Sequence, residues 1–224
     1  MSLCQIDHIT VTSPSLETGA AFLRQTLGVE PQIGGEHPRM GTHNLLLRLG
    51  DSLFLEMISP NPQAPAPQRA RWFGLDRLRT DSAPVLSTWA ARTTDIHAAA
   101  CACSESLGEI EPMSRGALHW LITIPADGSV PLDGVAPALI EWHTDIHPAA
   151  RLRDLGLSLV KLEIFHHEPA RVNRLLSSIG IDGPLSVSSL SGGTAPYLVA
   201  HINTPQGVRE LSVPRPDGHS HAAR

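Results

Sequence analysis

From Ile6 to Thr12 the chain is rich in β-branched residues, a pattern that predicts a strand. Strict alternation places Ile6, His8, Thr10 and Thr12 on one face, with Ile9 and Val11 on the other. The period then changes. Leu16, Ala20, Leu23 and Leu27 recur at helical spacing, with Ser13 or Ser15 as cap, Pro14 suited to the first turn and Gly28 as the stop. Gly34-Gly35 and Gly41 bracket a turn-rich loop. Asn44–Leu49 and Ser52–Ile58 follow as strands around a tight turn at Gly50-Asp51.

Proline density rises sharply between Ser59 and Pro84, which opposes regular structure and marks a connection; Trp72-Phe73 within it predicts that this stretch packs on something. The strand–helix–strand pattern then restarts. Val85–Arg92 reads as a strand, Asp95 caps a helix ending at Leu107-Gly108, and Ala117–Ile124 and Ala138–His143 read as strands. A third pass comprises a strand at Leu157–Phe165, a helix from Pro169 to Gly180, and strands at Leu185–Leu190, Tyr197–Asn203 and Val208–Val213; the tail from Pro214, with His219 and His221, reads as frayed.

The three passes share landmarks. Helix entry to closing glycine spans 12 residues (Leu16–Gly28), 12 (Ile96–Gly108) and 10 (Ala170–Gly180); glycine to a glutamate in the closing strand spans 28 (Glu56), 33 (Glu141) and 30 (Glu210). Repeated units of this size stack to bury a shared core. The expectation is an α+β protein of about three βαβββ modules: residues 1–58, a connection at 59–84, then 85–146 and 155–213. An odd number of modules leaves a pairing that a homodimer could complete.

Composition narrows the class. A net charge of −5 with no basic stripe argues against a nucleic-acid partner. No run approaches about 18 apolar residues, so no membrane span is expected, and the N-terminus does not read as a signal peptide. Three cysteines without disulfide or zinc-knuckle spacing suit free thiols in a reducing cytoplasm.

The segments D-H-I-T-V (Asp7–Val11) and L-F-L-E-M (Leu53–Met57) resemble the βαβββ module of the vicinal oxygen chelate superfamily. That superfamily includes glyoxalase I, extradiol dioxygenases, fosfomycin-resistance enzymes and bleomycin-binding proteins. His37–Asp51, W-F-G-L-D (Trp72–Asp76) and Leu86–Asp95 are similar to the glyoxalase-like domain family in particular. The resemblance covers the first two modules well and the third more weakly. It implies that modules one and two pair into curved, mixed sheets forming an open-barrel cleft, with metal ligands on the first and last strands of each module. His8 and Glu56 match two of those positions and Glu141 a third, while the fourth falls at Thr88, a poor ligand.

The residues themselves point the same way without closing the question. Glu56 lies among Leu53, Phe54, Leu55, Met57 and Ile58, so it needs a cation, a hydrogen-bond donor or an opening to water. His143, two residues past Glu141, shares its strand face and offers the imidazole that Thr88 lacks. His43 and His119 stand at matching places in modules one and two, as ligand, base or hydrogen-bond donor, or as satisfied core or rim histidines. Asn44 could hold a substrate oxygen; Trp89 and Trp142 are core, cleft wall or stacking platform.

His8, Glu56 and Glu141 with His143 or His43 would suit zinc, manganese, nickel or ferrous iron acting as a Lewis acid on a small substrate with neighbouring oxygens. Glu141 or His43 would then move the proton, as in an isomerase or lyase. The alternatives are a metal-free protein that binds or sequesters a small molecule and, on ferrous iron, an extradiol-type dioxygenase.

Overall fold

The computed structural model describes residues 4–212. The boundary at residue 213 and the tail with His219 and His221 lie outside them. No helix among the described residues is long and apolar enough to cross a membrane.

The first unit contains β1 (Cys4–Thr12), α1 (Leu16–Leu27), β2 (Gln32–His37), β3 (Thr42–Gly50) and β4 (Leu53–Pro60). Of the two candidate caps on α1 it is Ser15 whose hydroxyl accepts from the Thr18 N–H at 3.1 Å, and Gly28 ends the helix in a left-handed conformation (φ 72°). The turn-rich stretch around Gly34-Gly35 is itself a strand, β2. Its glycines stand where a Cβ would lie 2.1 Å from Asn44 Oδ1 and 2.8 Å from Arg115 Cδ respectively, so the bare backbone makes room for two polar side chains.

The second unit contains β5 (Val85–Arg92), α2 (Ile96–Ala102), β6 (Glu109–Arg115), β7 (Leu118–Ile124), a single turn α3 (Pro131–Gly134) and β8 (Pro137–Trp142). Strand β6, unread in the sequence, carries Pro112 on the sheet edge, where a missing N–H is tolerated. The two units share one curved sheet in the order β2-β3-β4-β1-β5-β8-β7-β6. Strand β1 runs parallel to β4 and antiparallel to β5, and β5 runs parallel to β8. The sheet curls until its edges approach: Arg39 and Arg69 from the first unit and the connection both pair with Glu111 on β6. This is the open half-barrel of an α+β, mostly strand, protein.

The third unit contains β9 (Ser158–His166), α4 (Pro169–Ser178), a short β10 (Ile181–Asp182) on β1, β11 (Leu185–Ser189), β12 (Tyr197–Thr204) and β13 (Gly207–Ser212). Its element order echoes the repeat but its strand order does not. The second sheet runs β11-β9-β12-β13, so β13 is an edge strand separated from β9 by β12. In the first unit the closing strand lies directly beside the opening one. Glu210 on β13 is accordingly remote from any first-strand position, and its nearest ionic partner is His201 at 3.6 Å.

One face of the large sheet carries α1 and the inner face of the second sheet. There Ile9, Leu23, Leu55, Trp89, Leu139, Leu162 and Leu198 form a common core. The concave face carries a second cluster, into which the connection inserts Trp72 and Leu75. Burial of each contributes about 1.5–3 kcal/mol toward anchoring this proline-rich stretch.

Candidate active site

On the concave face lies a cavity of about 30 Å³ lined by His8, His37, Asn44, Phe54, Glu56, Trp72, Phe73, Arg115, Trp120, Ile122, Ile140 and Trp142. Two larger surface grooves, of about 620 and 850 Å³, lie beside the proline-rich connection and beside α3. Neither combines buried histidine, carboxylate and guanidinium groups as the small cavity does.

The cavity's polar wall begins with an irregularity in β1. The pairing with β5 slips between Ile6 and His8, a bulge at Asp7. Simple alternation is broken there: Ile6 joins Ile9 and Val11 in the core, while Asp7 and His8 stand side by side. Asp7 is fully buried. Its Oδ1 lies 2.6 Å from His8 Nδ1; its Oδ2 accepts from Trp142 Nε1 at 3.0 Å and lies 2.8 Å from His147 Nε2. His147 Nδ1 accepts the Ala149 N–H, so the proton sits on Nε2 and is donated to Asp7. Burial alone would push the Asp7 carboxyl upward, but the hydrogen bonds and charges of His147 and His8 hold it well below the usual carboxylate range. His8 is the complement. Burial pushes its imidazole down, and the hydrogen bond and charge of Asp7, with the charge of Glu56, more than reverse that and raise it.

With Nδ1 committed to Asp7, His8 presents Nε2 to the cavity, 3.9 Å from Glu56 Oε2. Glu56 pairs with Thr10 on β1 and with Leu46 on β3, on the face that lines the cleft. Its Oε1 accepts from Asn44 Nδ2 at 2.6 Å, which leaves Oε2 as the oxygen turned toward His8. Asn44 in turn accepts from Arg115 Nη1 at 3.1 Å. His37 Nε2 lies 3.5 Å from the same nitrogen, and burial together with the Arg115 charge depresses His37 to about 3. It is therefore a neutral imidazole beside a cation.

The other expected residues stand elsewhere. On β8, Ile140 and Trp142 line the cavity, so Glu141 and His143 project from the opposite face. Glu141 Oε2 accepts the backbone N–H of Ile96 at the start of α2 (2.7 Å), and its Oε1 lies 2.8 Å from His143 Nε2. The pair is a helix-terminus bracket. His43 shares the core-facing parity of Leu45 and Leu47; burial lowers its basicity, and its Nε2 has no hydrogen-bond partner among the described residues. His119 is exposed beside cavity-lining Trp120, and Trp89 is core, its indole donating to the Val135 carbonyl at 3.0 Å. Thus the structure brings together His8, Glu56, Asn44 and Trp142, and separates them from Glu141, His143, His43, His119 and Trp89.

Register explains why Glu141 stands apart from His8 and Glu56. His8 stands seven residues before the cap of α1, Ser15, and Thr88 seven before the cap of α2, Asp95. Position Thr10 in β1 therefore corresponds to Ala90 in β5. Thr10 pairs with Glu56, whereas Ala90 pairs with Ala138. The counterpart of Glu56 is Ala138, and Glu141 is three residues beyond it on the other face.

Paired modules, a curled half-barrel, and a histidine–glutamate pair on adjacent first and last strands are the features that the resemblance to the vicinal oxygen chelate superfamily implies. The chain belongs to the glyoxalase-like domain family, whose model matches residues 6–180. No curated protein matches it in sequence. Among solved structures it is similar to a hypothetical protein from Staphylococcus aureus (14% identity, TM-score 0.53, covering 94% of this chain and 85% of that one). It is also similar to a Mn(II)-bound glyoxalase from Novosphingobium aromaticivorans (11%, TM-score 0.49, covering 95% and 83%). A third similarity is to Streptomyces coelicolor methylmalonyl-CoA epimerase with 2-nitronate-propionyl-CoA (19%, TM-score 0.43, covering 64% and 100%). Identities this low speak to the fold alone.

Proposed function

We propose that the chain is an isomerase or lyase that moves a proton at a carbon beside a carbonyl in a small substrate with neighbouring oxygens. The observation that carries this reading is the buried Asp7–His8 pair with Nε2 aimed into the cavity, 3.9 Å from the free oxygen of Glu56. Glu56 Oε2 is the base, its other oxygen held by Asn44. As the C–H bond breaks, its electron pair forms the enol C=C and the carbonyl π pair moves onto oxygen. His8 Nε2–H stabilises or protonates that oxygen, and Asp7 keeps the ring oriented and charged. Return of the proton to carbon completes an isomerisation; departure of a β-substituent instead completes an elimination.

A divalent ion of the superfamily type fits these residues poorly. His8 Nε2 and Glu56 Oε2 converge, but a catalytic ion ordinarily takes three protein ligands and an open position. The matching half offers Thr88 and Ala138. Among the described residues no group of three or more His, Cys, Asp or Glu is arranged around one point, and the Arg115 guanidinium on the same wall would repel a cation. That apolar second half favours, as the alternative, a protein that binds a small molecule without transforming it.

Proton NMR in D2O with a panel of small 2-oxo and 2-hydroxycarbonyl compounds tests the reading. Exchange of the α-hydrogen by the wild type, lost in Glu56→Gln and His8→Ala, is the expected result. Binding without exchange for every compound would leave the sequestering protein. Exchange that disappears in chelator-treated protein and returns with Mn(II) or Zn(II) would reassign His8 and Glu56 to an ion.

A further inference from the structure

We infer that the ligand of this cavity is a small organic monoanion, held by its carboxylate on Arg115. The inference rests on the cavity being the functional site, as proposed above, and adds the chemical class of what enters it. Arg115 ends β6 and reaches across the open edge of the barrel to β2, where Gly35 leaves the space its methylenes occupy. Its Nη1 donates to Asn44 Oδ1 and faces the neutral His37. No carboxylate oxygen among the described residues lies within 4 Å of its guanidinium. The other partly buried arginines differ: Arg48, Arg69, Arg71, Arg92 and Arg171 each have one within that distance.

A guanidinium withdrawn from water without a counter-ion is costly to maintain unless an anion visits it. Burial lowers the Arg115 pKa by more than the charge of Glu56, which makes no direct ion pair with it, raises it. Its planar fork matches a carboxylate in two parallel hydrogen bonds.

A second donor is unspent in the same wall. Trp72 is buried and lines the cavity, yet its indole Nε1–H has no acceptor among the described residues. Charge balance selects a monoanion. With His8 protonated, the cations His8, Arg92 and Arg115 exceed the anions Asp7 and Glu56 by one. One carboxylate neutralises the cluster and a phosphate dianion overshoots it. The rings of Phe73, Trp120 and Trp142 then face the body of the molecule, which the small volume of the cavity requires to be compact.

Calorimetric titration of the full chain with sodium acetate, pyruvate, benzoate, benzamide and phenyl phosphate tests this. At least one carboxylate should bind, with benzoate roughly tenfold to a hundredfold tighter than benzamide. That preference should vanish in Arg115→Gln and partly survive in Arg115→Lys. Unliganded Arg115→Gln should melt no lower than wild type, because it removes an uncompensated charge; a large drop in melting temperature would mark Arg115 as structural and overturn the inference. Equal binding of benzamide, tighter binding of phenyl phosphate, or no binding by any carboxylate would also overturn it. His8→Ala should lose exchange and bind carboxylates more weakly, having lost one charge of the cluster, while keeping the preference for benzoate over benzamide that Arg115 confers. Binding without exchange therefore defeats only the acid–base reading, and exchange on neutral compounds with no carboxylate preference defeats only this one.

Discussion

The two halves of the barrel meet at β1 and β5, where Thr10 pairs with Thr88, and from that seam they diverge chemically. The first half turns His8 and Glu56 toward the cleft; the second turns Thr88 and Ala138. The backbone frame is shared, but only one half turns ionisable groups of its first and last strands toward the cavity. The second half contributes Trp120, Ile122, Ile140 and Trp142 as wall, and Arg115 from an edge strand. A duplicated frame thus carries a one-sided candidate site: in the proposed function one module supplies the proton chemistry and the other encloses it.

The contrast between Glu56 and its apparent counterpart Glu141 is the sharpest to break. Glu56→Gln should lower exchange by about 10²- to 10⁴-fold, the range for losing a general base, while far-UV circular dichroism stays native. If exchange survived, the first half would hold no privileged role. Asp7→Asn should be the most damaging to stability. It strips the anion from His8, His147, Trp142 and Arg92 at once, and loss of one partner of a buried ionic group costs about 3–5 kcal/mol. Urea unfolding measures it, and a cost below about 1 kcal/mol would mean that Asp7 is not the organiser of this wall.

The first half should also dominate the pH dependence of stability. His37, depressed to about 3, refuses a proton that the unfolded chain accepts below about 6.5. Stability should therefore fall as pH drops through that window, by about 1.4 kcal/mol per pH unit from this group, and His37→Gln should flatten the limb. His8 acts in the opposite sense. Its raised pKa stabilises the fold fully below about 6.5, and that contribution fades as pH climbs through the folded value. Asp7 contributes above the ordinary carboxylate pKa of about 3.9 and loses its contribution as pH falls further. Denaturant midpoints from pH 3 to 9 resolve these limbs. In the second half, Glu141→Ala should cost about 0.5–1.5 kcal/mol through the α2 terminus and leave exchange unchanged. Thr88→Val should shift stability by about 0.5 kcal/mol or less and leave the pH profile untouched.

Much of the frame was legible in the residues. The helical period from Leu16 to Leu27, its Ser15 and Gly28 ends, and the apolar strand around Glu56 all reflect local chemistry, and the structure forms them where the pattern placed them. Strands β2 and β6 were not legible. Two glycines and a proline resemble loop punctuation until Asn44 and Arg115 are seen filling the space, and until Pro112 is seen on an edge. For the site, the pair His8 and Glu56 was visible because a histidine and a glutamate in apolar strands demand partners. Glu141 and His143 looked equivalent because spacing along the chain does not record which residue faces which.

What the sequence alone determined is most of the short-range elements, β2 and β6 excepted, and the repeat of the first two units, since period, caps and glycines act within a few residues. The tertiary structure decided which face of each strand points inward, because a strand's side-chain period is two and a shift of one residue reverses it. It decided that the Asp7 bulge sets that carboxylate against His8, Trp142 and His147, residues that the chain separates by up to 140 positions. It also decided that the third unit, similar in element order, builds a different sheet. Those outcomes depend on long-range pairing and on the desolvation of charges against one another, and neither is written in any local stretch of the chain.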